Sequence, residues 1–97
     1  MDGGMRTIAN ADLAHGHERV VIVAPVAVGM GFMASPGRQA AALTAAGARV
    51  ALGRPDRAAV RAIGRNKLDV SRRAAAARAG RAQAEAEAPA VRSVWQA

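Results

Sequence analysis

The 97-residue chain has no cysteine and almost no aromatic side chains: one Phe, one Trp and no Tyr. The absence of cysteine excludes a disulfide framework, a thiolate nucleophile and any cysteine-based metal site. No aromatic residue lies between Arg49 and Arg81, so the stacking partners used by single-strand nucleic-acid binders are missing there as well. These absences narrow the function classes before any motif is considered.

Large apolar side chains are also scarce. The chain has 27 alanines and only 23 larger hydrophobic residues. Alanine buries little surface, so the core is thin for a domain that folds alone. The apolar run over 20–34 is shorter than the roughly 20 residues that span a bilayer, and Pro25 and two glycines interrupt it. We therefore expect a soluble, cytoplasmic chain with no transmembrane segment.

The net charge is +7, and 13 of the 14 basic residues are Arg. From Arg49 to Arg81 there are ten basic residues against Asp56 and Asp69. Such a block is suited to nucleic acid or an anionic lipid surface. The alternative is a solvated Arg-rich face, which an Ala-, Gly- and Arg-rich composition produces without selection for a partner.

Two short β-branched runs predict an α/β fold. "RVVIVA" (19–24) and "ARVAL" (48–52) have the continuous apolar pattern of strands buried on both faces. Between them, Ser35 can cap a helix that begins at Pro36, and Gly47 ends it. A strand, a helix and a strand within about 35 residues form a βαβ unit, so the two strands should be parallel with a right-handed crossover.

Two shorter helices are predicted from their start and stop residues. Asn10 can cap a short helix over "ADLAHGH" that Gly16 ends. A second helix should begin at 55–56, run through Ile63 and end at Gly64. Its pattern predicts that Val60 and Ile63 face inward. Three arginines spaced four residues apart should form an exposed row: Arg57, Arg61 and Arg65.

The C-terminal region predicts a long helix rich in Ala and Arg. Helix propensity is high from Asp69 to Glu87, although no apolar side chain larger than Ala occurs between Val70 and Val91. Ser71 can cap this helix. Pro89 should break it, and three residues after the break could then dock onto the core: Val91, Val94 and Trp95.

Three candidate sites are explained more simply as ordinary structural features. Residues 29–34 match G-x-G-x-x-G/A, but Pro25 ends the strand too early and the helix begins after the motif, which favours an ordinary loop over a dinucleotide site. His15 and His17 could bind a metal, but they read better as surface residues. Ser35 lacks the flanking glycines of a nucleophile elbow. No metal or cofactor is therefore expected.

The tripeptide Asp2-Gly3-Gly4 can hold a carboxylate in a tight turn, where it could serve as base to a hydroxyl nucleophile. On its own, the tripeptide is more simply explained as a turn than as a catalytic site. Its context is more specific, because "DGGMRTIANADLAHGHERVVIVAP" resembles the segment of patatin-like phospholipases that carries their catalytic aspartate. The later "AALTAAGARVALGRPD", "AIGRNKLD", "RRAAAARAGRAQ" and "VRSVW" resemble the C-terminal tail of actinobacterial members, so the resemblance covers nearly the whole chain.

The resemblance implies a Ser-Asp dyad that hydrolyses lipid esters on a three-layer α/β scaffold. Asp2 would be the general base, and Gly3 and Gly4 would shape its turn. The G-x-S-x-G elbow and the glycine-rich oxyanion loop of that family are missing from the 97 residues, and no serine of the chain, Ser93 included, stands in an elbow. We therefore expect a C-terminal fragment, with a core over residues 1–68 and a helical tail over residues 69–97, that is inactive alone. The alternative is a small basic module that binds nucleic acid or anionic lipid.

Overall fold

The computed structural model describes residues 6, 9–25, 35–66 and 69–96. Within them, two strands form a parallel sheet: β1 (Arg19–Val23) and β2 (Arg49–Gly53), in the register Arg19 with Arg49 through Val23 with Gly53. The parallel pairing is as predicted, and β2 is shifted by one residue from the predicted 48–52. The fold is thus a mixture of helix and strand, as expected for the α/β class.

Strand β1 is buried mainly on one face, which corrects the prediction that β1 is covered on both sides. Val20 and Ile22 are 8% and 6% exposed, whereas Val21 and Val23 are 37% and 81% exposed. Successive side chains of a strand point to opposite faces, so the even-numbered pair is in the core and the odd-numbered pair is not. An unbroken β-branched run cannot distinguish these faces, because its pattern is the same on both.

Helix α1 (Pro36–Ala45) covers the buried face together with a 3₁₀ helix, Ala11–Ala14. Its Leu43 packs with Ala11, Val20 and Ile22 in one apolar cluster. The Ser35 side chain accepts a hydrogen bond from the backbone N–H of Arg38 at 3.2 Å, so the predicted cap is confirmed. The chain leaves α1 through Gly47, whose φ of 101° favours glycine.

Helix α2 (Arg57–Ile63) begins where Asp56 accepts a hydrogen bond from the backbone N–H of Ala59 at 2.8 Å, and Gly64 ends it with φ 77°. The predicted inward face is wrong at Val60, which is 56% exposed. Ala59 is the buried residue of α2, and Ile63, one turn later, is half-buried. The helix is therefore rotated so that Ala59 is buried in place of Val60.

A 3₁₀ turn (Val70–Arg72) leads into helix α3 (Arg73–Gln96), which lies against α2 and both strands. Two predictions are wrong here. Asp69 caps the 3₁₀ turn instead of Ser71, because its carboxylate accepts from the Ser71 backbone N–H at 3.0 Å. Pro89 lies inside α3 without ending it. A proline removes one helical hydrogen bond and crowds the preceding turn, and the long helix persists on both sides of that local cost.

The residues expected to dock after Pro89 belong to this continuous helix. Val91 and Val94 are half-buried, while Trp95 is 56% exposed. Because Val21 and Val23 face α2 and α3, the sheet lies between α1 on one side and the two later helices on the other. The C-terminal helix thus forms a layer of the fold.

Candidate functional site

The predicted catalytic turn, Asp2-Gly3-Gly4, lies outside the described residues, as does the glycine-rich stretch 29–34. The structure does describe Arg6 and most of the chain beyond it. A network of side chains there connects Arg6, the short 3₁₀ helix and α1. Its geometry shows how Arg6 is attached to the core.

Arg6 and Asp12 form a two-pronged ion pair. Arg6 Nη1 donates to Asp12 Oδ1 at 2.8 Å, and Nη2 donates to Asp12 Oδ2. Two parallel N–H···O contacts give this pair a defined geometry that a single contact would lack. Both side chains are about half exposed, at 53% and 46%, so the pair orients the chain more than it stabilises the fold.

This environment changes the pKa of the Asp12 carboxylate. Hydrogen bonding from Arg6 is the main cause that holds its pKa below the usual value, and desolvation opposes the shift. The same contact raises the pKa of Arg6. The pair is therefore fully charged throughout the neutral range.

Gln39 of α1 joins this network to the core. Its side chain is among the buried polar groups, at 6% exposure. Its Oε1 accepts from the backbone N–H of Ala11 at 3.2 Å, and its Nε2 donates to Asp12 Oδ1 at 3.3 Å. A buried amide with both ends bonded is a specific cross-link, since either end would otherwise be a buried unpaired group. Gln39 thus attaches the 3₁₀ helix to α1.

Asn10 differs from its predicted role. It precedes the 3₁₀ helix, but its side chain makes no capping hydrogen bond, and its backbone is left-handed with φ 51°. Instead, Asn10 Oδ1 accepts from Arg6 Nη1 at 3.1 Å. Asn tolerates this backbone conformation better than most residues, so the turn it makes explains the residue type.

The remaining candidate side chains are not assembled into a site. His15 and His17 are exposed, and no group of three metal-ligating side chains occurs among the described residues. Ser71 Oγ donates to Asp69 Oδ1 at 2.6 Å, and this bond is the main cause of the lowered pKa of Asp69. That Ser-Asp contact is an exposed capping turn between residues two apart in sequence, and it is not a catalytic dyad.

The predicted arginine row is exposed but is not one helical face. Arg57 and Arg61 lie on α2, whereas Arg65 follows Gly64 and is outside the helix. Arg72 Nη1 reaches back to the carbonyl oxygen of Arg61 at 3.5 Å, near the helix end. This is where a cation interacts favourably with the helix dipole, so the contact has a structural explanation.

The sequence interpretation missed an apolar cavity between the sheet, α2 and α3. Its volume is about 750 Å³. Its floor is the exposed pair Val21 and Val23, and one wall is a row of small α3 residues at intervals of four: Ala76, Gly80, Ala84 and Ala88. That spacing is readable in the sequence, but Ala is so abundant throughout the chain that the pattern does not stand out.

Comparison with known proteins leaves the function to be argued from the chain itself, because no family profile, curated protein or solved structure matches it. None of the helices in the described parts of the chain has the length and apolar character needed to cross a membrane. In the part of the chain that the structure describes, the class is a small α/β unit with a two-stranded parallel sheet.

Proposed function

We propose that the chain is the segment of a patatin-like acyl hydrolase that carries the catalytic aspartate, with Asp2 as general base. The observation that carries the proposal is the D-G-G tripeptide followed in sequence by "NADLA" and a β-branched strand. The order of elements found after the turn, a 3₁₀ helix, β1, α1 and a parallel β2, is compatible with that interpretation. A parallel pair of strands is suited to a larger α/β sheet.

In this proposal the Asp2 carboxylate accepts the proton of a serine hydroxyl as the serine oxygen attacks an ester carbonyl. The alcohol leaves with that proton, and water then releases the acid from the acyl-serine. The Arg6–Asp12–Gln39 network is compatible with the role because it attaches Arg6, four positions after Asp2 in sequence, to the 3₁₀ helix and α1. The serine must come from a G-x-S-x-G elbow outside these 97 residues.

Two measurements test the proposal. The isolated chain should not hydrolyse p-nitrophenyl butyrate, and Asp2→Asn should leave that background unchanged. The DNA preceding the Met1 codon should encode a G-x-S-x-G elbow in frame or in a shifted frame. The protein spanning both should be an esterase that Asp2→Asn slows about 10⁴-fold, as the loss of a triad aspartate does.

A matched change, Asp12→Asn, should slow that longer esterase far less, because Asp12 lies in the supporting network. Turnover by the isolated chain that depends on Asp2 would contradict the predicted inactivity. An encoded elbow whose esterase tolerates Asp2→Asn would contradict the role of Asp2.

The second candidate function is binding to nucleic acid or anionic lipid through Arg57, Arg61 and Arg65. Its support is that all three side chains are exposed within a strongly basic chain. Changing the three to Gln should reduce salt-sensitive retention on heparin more than changing Arg38, Arg49 and Arg78, which removes the same charge elsewhere. Equal losses from the two sets would indicate a general effect of net charge and would count against a defined surface.

A further inference from the structure

One exposed surface of the molecule combines cationic and apolar side chains. It is formed by α2, the residue after it and the 3₁₀ turn that leads into α3, and we call it the α2 surface. All of its side chains are exposed: Arg57, Val60, Arg61, Arg65, Val70 and Arg72. The two arginines of α2 lie on the side of the helix opposite the buried Ala59, because successive residues of a helix are about 100° apart.

Arg72 connects the two elements of this surface. Its Nη1 donates to the carbonyl oxygen of Arg61 at 3.5 Å, and its Nε lies 3.3 Å from the position that a Cβ atom on Gly64 would occupy. The absence of a side chain at Gly64 thus leaves room for the guanidinium group. Arg72 and the turn that carries it therefore lie beside the C-terminal end of α2, and the arginines of the two elements are neighbours.

The α2 surface is net positive. Its four arginines are opposed by two nearby aspartates, Asp56 and Asp69, which leaves two positive charges. Both carboxylates already accept backbone hydrogen bonds, Asp56 from Ala59 and Asp69 from Ser71. Among the residues that the structure describes, none of the four guanidinium groups forms an ion pair, so each can contact an external anion.

Two valines lie among these arginines. Val60 is 56% exposed and Val70 is 85% exposed. The interfacial region of a bilayer accommodates both kinds of group, because anionic head groups attract arginine and the acyl boundary takes apolar side chains out of water. Nucleic acid would contact only the charges, since its phosphates pair with arginine and no aromatic side chain is present here to stack on a base.

We propose that the α2 surface docks on an anionic lipid bilayer, with its arginines at the head groups and Val60 and Val70 at the acyl boundary. The proposal rests on the second candidate function given above and decides between its two partners in favour of lipid. It does not require the hydrolase role, so Asp2→Asn should leave lipid binding unchanged.

The test is co-sedimentation of the full 97-residue chain with vesicles made of equal parts of phosphatidylcholine and phosphatidylserine. We expect binding to these vesicles and none to phosphatidylcholine alone. Arg61→Gln with Arg72→Gln should weaken binding about tenfold or more, since each basic residue near an anionic bilayer contributes roughly fivefold. Arg78→Gln with Arg81→Gln removes the same charge from exposed positions of α3 outside this surface and should cause a smaller loss.

The valines distinguish a bilayer from nucleic acid. Val60→Ser with Val70→Ser should weaken vesicle binding about tenfold and leave retention of a short DNA duplex unchanged. Both positions are exposed, so the melting temperature and circular dichroism should match those of the parent. Leu13→Ser with Trp95→Ser removes two similarly exposed apolar side chains elsewhere and should bind vesicles like the parent.

A fluorescent variant reports insertion directly. Val70→Trp, made together with Trp95→Phe, places the single tryptophan of the chain on the α2 surface. Its emission should shift to shorter wavelength with the anionic vesicles, because the indole ring leaves water for the interface. Ala82→Trp with Trp95→Phe, at an exposed position of α3, is the control and should show no shift.

Absence of binding to the anionic vesicles would overturn the proposal. If DNA were still retained through the same arginines, the surface would be a nucleic-acid site, and if neither partner were bound, the second candidate function would fail as well. Three further results would overturn it: vesicle binding that Val60→Ser with Val70→Ser does not weaken, equal losses from the two arginine pairs, and no emission shift for Val70→Trp.

Discussion

At the scale of single residues, the most informative side chain is Gln39. It is the buried polar residue through which the 3₁₀ helix is attached to α1, and both ends of its amide are used. A buried amide contributes little net stability when it is paired, but removing it leaves its partners unsatisfied. Its importance therefore lies in the specific position it imposes on the 3₁₀ helix.

Gln39→Leu should lower the free energy of unfolding by about 1–3 kcal/mol, because the buried N–H of Ala11 loses its acceptor. Urea unfolding followed by circular dichroism measures the change. The control is Thr44→Val on the same helix, since the Thr44 hydroxyl donates to the Ala40 carbonyl at an exposed position. A loss for Gln39→Leu no larger than that of the control would contradict the role of the amide as a cross-link.

The Asp12 carboxylate should make stability dependent on pH at the acidic end. Its pKa is lower in the folded chain than the unfolded value of about 3.9, chiefly because Arg6 donates to it. Above that pH the charged carboxylate thus stabilises the folded state, and this stabilisation is lost as the pH falls through the lowered pKa.

Thermal unfolding between about pH 2 and 6 should therefore show a fall in Tm at the low end that Asp12→Asn reduces. Asp69, whose pKa is lowered by Ser71, contributes to the same fall, and Asp69→Asn is the comparison variant. A Tm profile for Asp12→Asn that is parallel to the parent's across the whole range would show that the ion pair with Arg6 has no effect on folding.

At the scale of elements, helix ends that depend on neighbours in sequence are easier to predict than buried faces and long-range packing. Ser35 caps α1 as predicted, because a capping hydrogen bond involves only neighbours in sequence, and Gly47 and Gly64 follow α1 and α2 as predicted. The predictions for Pro89 and Val60 are wrong because their outcomes depend on distant contacts. The packing of α3 decides whether a proline ends the helix, and the rotation of α2 on the sheet decides which side is buried.

Pro89→Ala should raise the melting temperature, because it restores a helical hydrogen bond and removes a steric clash inside α3. The free energy of unfolding should rise by about 1–3 kcal/mol, and the upper value is the usual cost of an interior proline. Ala86→Pro, in the same helix, is the opposite change and should destabilise by a similar amount. If Pro89→Ala were neutral, the helix would already accommodate the proline without strain.

At the scale of the whole molecule, the sheet has one covered face and one that borders a cavity. α1 buries Val20 and Ile22, while Val21 and Val23 remain largely open toward α2 and α3. Exposed β-branched residues on a short strand are a site for association, because unpaired strand edges and apolar surface both attract other chains. The molecule should therefore be prone to self-association despite its charge of +7.

Val23→Lys should reduce light scattering of concentrated solutions at low salt, since a lysine in a strand discourages edge pairing. Its effect on the melting temperature should be small, because Val23 is 81% exposed. Ile22→Lys, at the neighbouring buried position, should instead unfold the chain. Unchanged scattering for Val23→Lys would mean that association, if present, uses another surface.

The amino-acid sequence alone was sufficient for the strands, their parallel pairing, the Ser35 cap of α1 and the long C-terminal helix. These features depend on local propensity, on hydrogen bonds between neighbours and on the short connection between β1 and β2. The candidate role of Asp2 also came from sequence, and it stays a prediction because the turn lies outside the described residues.

Only the tertiary structure decided which face of β1 is buried, how α2 is rotated and that α3 continues through Pro89. It also decided that Gln39 and Asp12, 27 residues apart, meet beside Arg6, and that the small residues of α3 border a cavity over Val21 and Val23. Each of these outcomes depends on the space between elements. That space is set by contacts between residues far apart in sequence, which local patterns do not encode.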